Sequence, residues 1–163
     1  MARPDEYTVT PSVLDRLIDR EPRQTEDSPA TRAQSVRHLK AALRRDLEWL
    51  LNTRRNPEAA PETMVELSNS LYNFGLPDFS SASVNTPRDR DWLLVELERT
   101  VALFEPRLKD VRVLMQEQPG IGRSLHLQIE GLLQMDPAPE HISFDTMLQL
   151  TSGECQIRGD RGA

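Results

Sequence analysis

The sequence contains little of what several protein classes require. Its 163 residues include one cysteine, Cys155, which excludes an intramolecular disulfide framework and a cysteine-rich zinc site. No apolar run is longer than four residues, the length of the run at residues 92–95, whereas a membrane-spanning helix needs about 18 or more apolar residues. No apolar segment follows the N-terminal residues, so a secretory signal is absent from this sequence and an intracellular protein is expected.

Basic residues are fewer than acidic ones, and they are concentrated in one stretch. The 20 Lys and Arg against 26 Asp and Glu give a net charge of −6, yet residues 31–56 carry seven basic and two acidic side chains. Trp49 is the only aromatic residue in that stretch, so a stacking platform for nucleic acid is missing, and the overall negative charge opposes nucleic-acid binding. We interpret the stretch as a solvated or protein-binding helix face and expect no nucleic-acid partner.

Apolar periodicity predicts two long helices, over about residues 34–52 and 87–105. Thr31 and Gln34 have the spacing of a capping box at the start of the first helix. Thr86 and Pro87 are typical of the cap and first position of the second helix. Each of these helices is bounded by a later proline, which cannot continue it.

The other helical signals are weaker. Apolar residues at 13–18 predict a short helix, and a polar, proline-bounded linker is expected to follow it up to residue 30. Residues 57–85 are predicted to be mostly irregular, with one or two helical turns. Such a long irregular segment is unusual in a compact domain, so it is either functional or more structured than its pattern indicates.

After residue 106 the apolar period changes from about 3.6 to 2, which predicts β-strands. The alternation covers four segments, at residues 111–116, 125–130, 141–150 and 155–157. The predicted fold class is therefore α+β, with N-terminal helices packed on a C-terminal antiparallel sheet over about residues 109–158. We expect one domain over residues 31–158, preceded by the short helix and linker of residues 1–30 and followed by a tail at 159–163.

The residues that could carry chemistry form no recognisable catalytic or metal-binding pattern. His38, His126 and His141 lack the spacing of metal ligands, and Cys155 has no nucleophile signature around it. Residues 119–124 lack the lysine of a phosphate-binding loop and lie between two predicted strands. A glycosidase needs two carboxylates at a fixed separation, and no acidic pair stands out. We expect no metal, no cofactor and no small-molecule substrate.

One polar cluster, Glu105-Pro106-Arg107, closes the second long helix. A glutamate at a helix C-terminus faces the negative end of the helix dipole, so it needs a compensating cation. Arg107 offers a planar fork of donors beside it, and Pro106 stiffens the corner. The cluster is either a helix terminus whose arginine neutralises a glutamate or a rigid anchor for a partner protein.

Three segments together resemble a known family. They are residues 48–54 (EWLLNTR), residues 73–79 (NFGLPDF) and residues 104–107 (FEPR). Their combination is similar to the signature of the TssE family, the baseplate subunits of type VI secretion systems, which in turn are similar to the wedge proteins of contractile phage tails. The resemblance extends over most of residues 12–150, with Phe74 where a tyrosine is expected.

The resemblance implies a structural, non-enzymatic protein of the cytoplasm, located in a baseplate at the inner face of the cell envelope. Its implied partners are other wedge subunits, of the TssF, TssG and TssK type, and the contractile sheath subunits. In the family the triplet corresponding to Glu105, Pro106 and Arg107 is thought to contact the helical core of neighbouring wedge subunits. Arg54 and Arg55, at the end of the basic stretch, are further candidate partner-binding residues.

The sheet suggests how sheath subunits would bind. An open antiparallel sheet leaves unpaired backbone groups on its edges, where incoming segments could add strands. We expect this addition within residues 123–158. Two alternatives remain: a peptidoglycan-cleaving enzyme, suggested by the "lysozyme-like" label of the family, and a small adaptor protein with the same fold.

Overall fold

The computed structural model describes residues 11–18, 31–58, 60–61, 63–79, 86–116, 124–149 and 152–160. Helices come first and strands follow, as predicted, so the fold class is α+β. The predicted linker, residues 119–123 between the first two predicted strands, and Leu150 of the third predicted strand lie outside the described residues. The elements are α1 (Val13–Leu17), α2 (Arg32–Asn52), α3 (Val65–Ser68), α4 (Pro87–Phe104), β1 (Leu108–Gln116), β2 (Ser124–Leu133), β3 (Glu140–Gln149) and β4 (Cys155–Asp160).

Helix α2 begins at the capping box that the sequence predicts. The Thr31 hydroxyl accepts a hydrogen bond from the Gln34 N–H at 3.4 Å, and the Gln34 side chain accepts one from the Thr31 N–H at 2.8 Å. The helix ends where Thr53 becomes extended. The buried side chains of the helix pack in the core; they are Leu39, Ala42, Leu43, Leu47, Leu50 and Leu51.

Helix α4 begins at the predicted position, with Thr86 as N-cap, Pro87 in its first turn and Asp89 nearby. The Thr86 side chain makes no capping hydrogen bond, so the start depends on the fixed φ of Pro87 and on the negative charge of Asp89. Leu93, Leu97, Thr100 and Val101 are buried.

The strands form one antiparallel sheet in the order β1-β2-β3-β4. The β2–β3 pairing is regular along both strands, whereas β1–β2 and β3–β4 each contain one register shift. Strand β4 extends to Asp160, beyond the predicted end at residue 157. The outermost strands are therefore β1 and β4.

Both long helices cover the same face of the sheet. Alternate residues of β2, namely Leu125, Leu127 and Ile129, join the buried core with the apolar faces of α2 and α4. Helix α4 lies nearest β1 and α2 lies nearest β4. The other face is half-buried and carries polar side chains such as Gln128, as the period-2 alternation predicts.

The described part of residues 57–85 has the predicted helical turns, and it is also bonded to and packed against the rest of the domain, which its pattern does not indicate. It contains α3, a 3₁₀ turn at Leu71–Asn73 and an isolated parallel bridge between Arg54 and Leu76. Leu76 and Phe79 are buried in the main core. This segment therefore contributes to packing, which the sequence did not predict because its apolar residues follow no regular period.

Candidate assembly interface

The corner between α4 and β1 is short and rigid. The N–H of Glu105 still bonds the Val101 carbonyl at 2.8 Å, but its ψ of 76° takes the chain out of the helix. Pro106 has no N–H to donate and cannot continue the helix. The Glu105 carbonyl then accepts the N–H of Leu108 at 3.0 Å, and β1 begins there.

The Glu105 carboxylate is buried at this corner, where the residue is only 4% exposed. Arg107 binds it with both branches of its fork, Nε to Oε1 at 2.6 Å and Nη2 to Oε2 at 2.5 Å. The backbone N–H of Arg107 adds a third bond to Oε1 at 3.2 Å. The cation that the helix-dipole argument requires is therefore Arg107.

Arg107 also connects the corner to helix α2. Its Nη2 donates to Asp46 Oδ2 at 2.6 Å, and the other oxygen of Asp46 accepts from Nε and Nη2 of Arg45 at 2.9 and 2.7 Å. Nη1 of Arg45 donates to Asp15 of α1 at 2.8 Å. We call these five side chains the ion network; along it acidic and basic groups alternate, in the order Asp15, Arg45, Asp46, Arg107, Glu105.

The pKa values reflect this pairing. The hydrogen bonds that Arg107 donates to Glu105 raise the pKa of its guanidinium, burial opposes this increase, and the hydrogen bond to Asp46 adds to it. Burial opposes ionisation of Asp15, but hydrogen bonds from Ser12 and Arg45 and the charges of Arg45 and Arg107 outweigh it, so the pKa of Asp15 is lowered. The pairing therefore favours the charged forms of Arg107 and Asp15.

The three residues of the triplet differ in what they present to solvent. Glu105 is buried, Arg107 is about a quarter exposed and Pro106 is exposed. The Nη1 atom of Arg107 is buried without a hydrogen-bond partner among the described residues. The pairing of Arg107 with Glu105 is present in the structure, whereas a contact with a partner protein stays a prediction.

Apolar side chains are exposed next to the ion network. Trp49 is 54% exposed, with the Arg45 guanidinium 5.1 Å from its ring centre. Helix α1 is attached through Asp15, and its apolar side chains Val13, Leu14, Leu17 and Ile18 are exposed. The polar side of α1 thus faces α2, and the apolar side is exposed.

Arg55 is used inside the protein. Its guanidinium donates to the Gly75 carbonyl at 3.2 Å, to Glu96 at 3.2 Å and to the buried Thr100 hydroxyl at 2.9 Å. It therefore fastens the segment that contains Gly75 to helix α4. No hydrogen bond or ion pair between described residues joins Arg55 or Arg54 to the triplet.

Arg54 is exposed and only loosely paired. Its Nη1 lies 3.7 Å from Asp78 Oδ1, and both side chains are more than half exposed. It lies at a cleft of about 220 Å³ whose lining includes Pro77 and Glu154, smaller than the ~300–1,000 Å³ of typical small-molecule pockets. Of the two arginines, Arg54 is the one that a partner could reach.

The sequence did not single out Asp46, Arg45 or Asp15. Asp46 is one of only two acidic residues within the basic stretch 31–56, and this isolation was the available signal. Which arginine an acidic residue pairs with depends on the packing of α2 against the corner. Helical spacing alone does not provide that information.

No group of three or more His, Cys, Asp or Glu side chains is placed to hold a metal ion in the described part of the chain. Among the same residues, no helix is long and apolar enough to cross a membrane.

The fold and the corner define a class of protein: a small α+β domain in which a partly buried ion network connects the helices to the start of the sheet. The sequence model of the family described as baseplate wedge protein gp25 matches residues 37–138, which include most of α2, the corner, β1 and β2. The chain belongs to this family, and the resemblance drawn from residues 48–54, 73–79 and 104–107 is confirmed. Comparison with curated proteins gives no match.

The family is a structural one, and its role is in a baseplate of the contractile-tail kind. Membership implies assembly with other baseplate components.

Proposed function

We propose that this protein is the wedge subunit of a type VI secretion baseplate, of the TssE type, and that it acts without catalysis. It joins neighbouring wedge subunits, of the TssF, TssG and TssK type, through the corner at Glu105, Pro106 and Arg107. It also provides a sheet edge on which sheath subunits begin to polymerise by strand addition. The baseplate would lie at the cytoplasmic face of the cell envelope, with residues 31–158 as the wedge domain.

The family match carries this proposal, because it covers the corner and the two strands that follow it. The geometry of the corner supports a docking role. Pro106 is exposed between Glu105 and Arg107, and these two residues are joined by three hydrogen bonds, one of them from the backbone N–H of Arg107. A rigid surface loses little conformational freedom on binding, which favours affinity.

The exposed apolar residues near the ion network support the same role. Trp49 and the apolar side of α1 are the kind of side chains that are buried in stable interfaces. Arg54 is exposed on a different part of the surface and would contact a partner there.

Co-purification with wedge subunits tests the corner. Pro106→Asp places a charge on the exposed corner without removing any member of the ion network. We expect it to reduce recovery of the wedge partners at least tenfold and to stop secretion. Pro139→Asp is the matched control, because Pro139 is also an exposed proline, in the connection between β2 and β3, and lies outside the family match.

Circular dichroism and thermal melting establish that both variants are folded. Equal recovery of wedge subunits by Pro106→Asp and the unaltered protein would overturn the assignment of the corner. Failure of the unaltered protein to bind either wedge or sheath subunits would overturn the baseplate role itself.

A further inference from the structure

Side chains from the helices form hydrogen bonds with the outer edges of β1 and β4, and they occupy the two edges to different extents. An outer strand presents every second residue's N–H and C=O away from its neighbour, and these unpaired groups are what an added strand binds. Both β1 and β4 have such an edge. The hydrogen bonds made to the two edges therefore show where an incoming strand can enter.

The edge of β4 is occupied by two side chains of α2. The side-chain amide of Asn52 donates to the Cys155 carbonyl and accepts from the Cys155 N–H, both at 2.8 Å, as a neighbouring strand would. Two residues further along, the N–H of Ile157 donates to Glu48 at 3.2 Å. The β3–β4 register shifts near the end of β4, and the β1–β2 register shifts near the start of β1, so these irregularities do not distinguish the two edges.

The edge of β1 carries a single hydrogen bond of this kind among the described residues. The N–H of Val113 donates to Oε1 of Glu98 on α4 at 2.9 Å, so the backbone N–H and C=O of Val113 point away from β2. Met115, two residues later, faces the same edge because the pairing between residues 112 and 116 is regular. No side chain or loop in the described part of the chain bonds the carbonyl of Val113 or the backbone groups of Met115.

The surroundings of the two edges also differ in polarity. Beside the β1 edge, Leu114 is 45% exposed on the open face of the sheet, and Val95, one turn before Glu98 on α4, is 59% exposed. Beside the β4 edge the exposed side chains are polar, including Gln156 and Arg158 of the strand and Arg44 of α2. An extended segment with apolar side chains on both of its faces would bury Leu114 and Val95 at the β1 edge.

We propose that the occupant of the β1 edge is an extended segment of a sheath subunit. In the free protein the Glu98 carboxylate then occupies the position that the first carbonyl oxygen of this segment takes on binding. The carboxylate satisfies the Val113 N–H in the free protein and is displaced when the incoming strand donates and accepts along Val113 and Met115. The edge of β4 stays closed by Asn52 and Glu48. This inference rests on the proposed sheath-templating function, and it moves the expected site of strand addition from residues 123–158 to β1, which precedes that range.

Removing each closing side chain separately tests the choice of edge. Glu98→Ala frees the Val113 N–H, and Asn52→Ala frees both backbone groups of Cys155, so the two variants are a matched pair. The measurement is the affinity of the purified, full-length protein for the sheath subunit of the same secretion system. We expect Glu98→Ala to bind about tenfold more tightly, because no charged hydrogen bond has to be broken first, and Asn52→Ala to bind unchanged.

Hydrogen–deuterium exchange of the unaltered protein gives a second measurement that does not depend on variant stability. Sheath binding should slow exchange in peptides covering residues 112–116 and leave those covering 155–160 unchanged. Tighter binding by Asn52→Ala with protection at 155–160 would overturn the assignment and place the strand on β4. Unchanged affinity of Glu98→Ala would overturn its displacement, and no binding of sheath by the unaltered protein would overturn the sheath function.

Discussion

Arg107 binds Asp46, a residue 61 positions earlier in the chain, through a 2.6 Å contact between Nη2 and Oδ2. The same guanidinium holds the buried Glu105, so one side chain joins the end of α4 to the middle of α2. Because β1 begins immediately after Arg107, this contact also sets where the sheet starts relative to the helices. The triplet thus connects α4, α2 and the start of β1, and its exposed residue, Pro106, is available to a partner.

Arg107→Ala should lower the free energy of unfolding by about 2–3 kcal/mol, because it leaves the carboxylate of Glu105 buried without its cation. The measurement is urea denaturation followed by circular dichroism. A domain of ordinary stability, about 5–15 kcal/mol, would remain folded after this loss. We therefore expect secretion to stop in a variant that still unfolds cooperatively.

The double variant Glu105→Ala/Arg107→Ala is the control for this explanation. Removing both charges should cost less than the sum of the two single changes, since neither partner is then left unpaired. Additive losses would contradict the pairing as the cause. Unchanged secretion by Arg107→Ala would leave the triplet with its structural role only.

Gly75→Ala should destabilise the protein by at least about 2 kcal/mol, which is large for the addition of one methyl group. Gly75 has a φ of +99°, and a Cβ there would lie 2.3 Å from the carbonyl oxygen of Thr53. The backbone would have to move away from α2 and break the bond from the Leu76 N–H to that oxygen. Thermal or urea denaturation measures the loss.

Gly159→Ala is the matched control for Gly75→Ala, because a Cβ at Gly159 meets no atom within 4 Å. We expect its stability to stay within about 0.5 kcal/mol of the unaltered protein. A similar loss in both variants would show that the close approach of residue 75 to α2 is not what requires glycine.

Regular elements could be predicted from the sequence, and the contacts between them could not. Thr31 and Gln34 specify the start of α2 because the capping box is local, and β2 follows from its alternating residues for the same reason. Leu76 was missed as a core residue because its segment has no period. The position of Leu76 depends on the close approach of Gly75 to the backbone of Thr53, and the glycine at position 75 was the only local sign of that approach.

The candidate site shows the same division. The need of Glu105 for a cation follows from its place at a helix end, and Arg107, two residues later, is the natural candidate. That Asp46 completes the site depends on the packing of two distant helices, and 26 acidic residues offer many other choices. The role of Glu98 at the β1 edge likewise depends on the packing of α4 beside that strand.

Asp15 should make the attachment of α1 dependent on pH. Its pKa in the folded protein is lowered from an ordinary value of 3.8, so its contribution is present above that value and is lost as the pH falls through the lowered pKa. Asp15→Asn should remove this contribution at neutral pH. The difference in unfolding free energy between the two proteins should therefore be largest at neutral pH and shrink below about pH 4.

Trypsin cleavage after Arg16 gives a local measurement of the same attachment, because Arg16 is in α1 and exposed. At neutral pH, Asp15→Asn should be cut there several times faster than the unaltered protein. Asp89→Asn is a control that changes an acidic residue in the first turn of another helix. Equal cleavage rates for all three proteins would show that Asp15 does not hold α1 on α2.

Cys155 should react with thiol reagents only when the protein unfolds. The residue is buried on β4, and burial together with the nearby charge of Glu48 raises the pKa of its thiol to about 12. At pH 8 the thiolate fraction in the folded state is therefore negligible, and iodoacetamide should modify the denatured protein far faster than the native one.

Because the folded pKa of Cys155 lies above the ordinary value of 9.0, the neutral thiol stabilises the fold below pH 9, and this contribution is lost as the pH rises towards 12. Cys155→Ala should lack this part of the alkaline destabilisation, so denaturation of both proteins between pH 8 and 11 measures it. Rapid labelling of the native protein at pH 8 would contradict the burial of the Cys155 side chain.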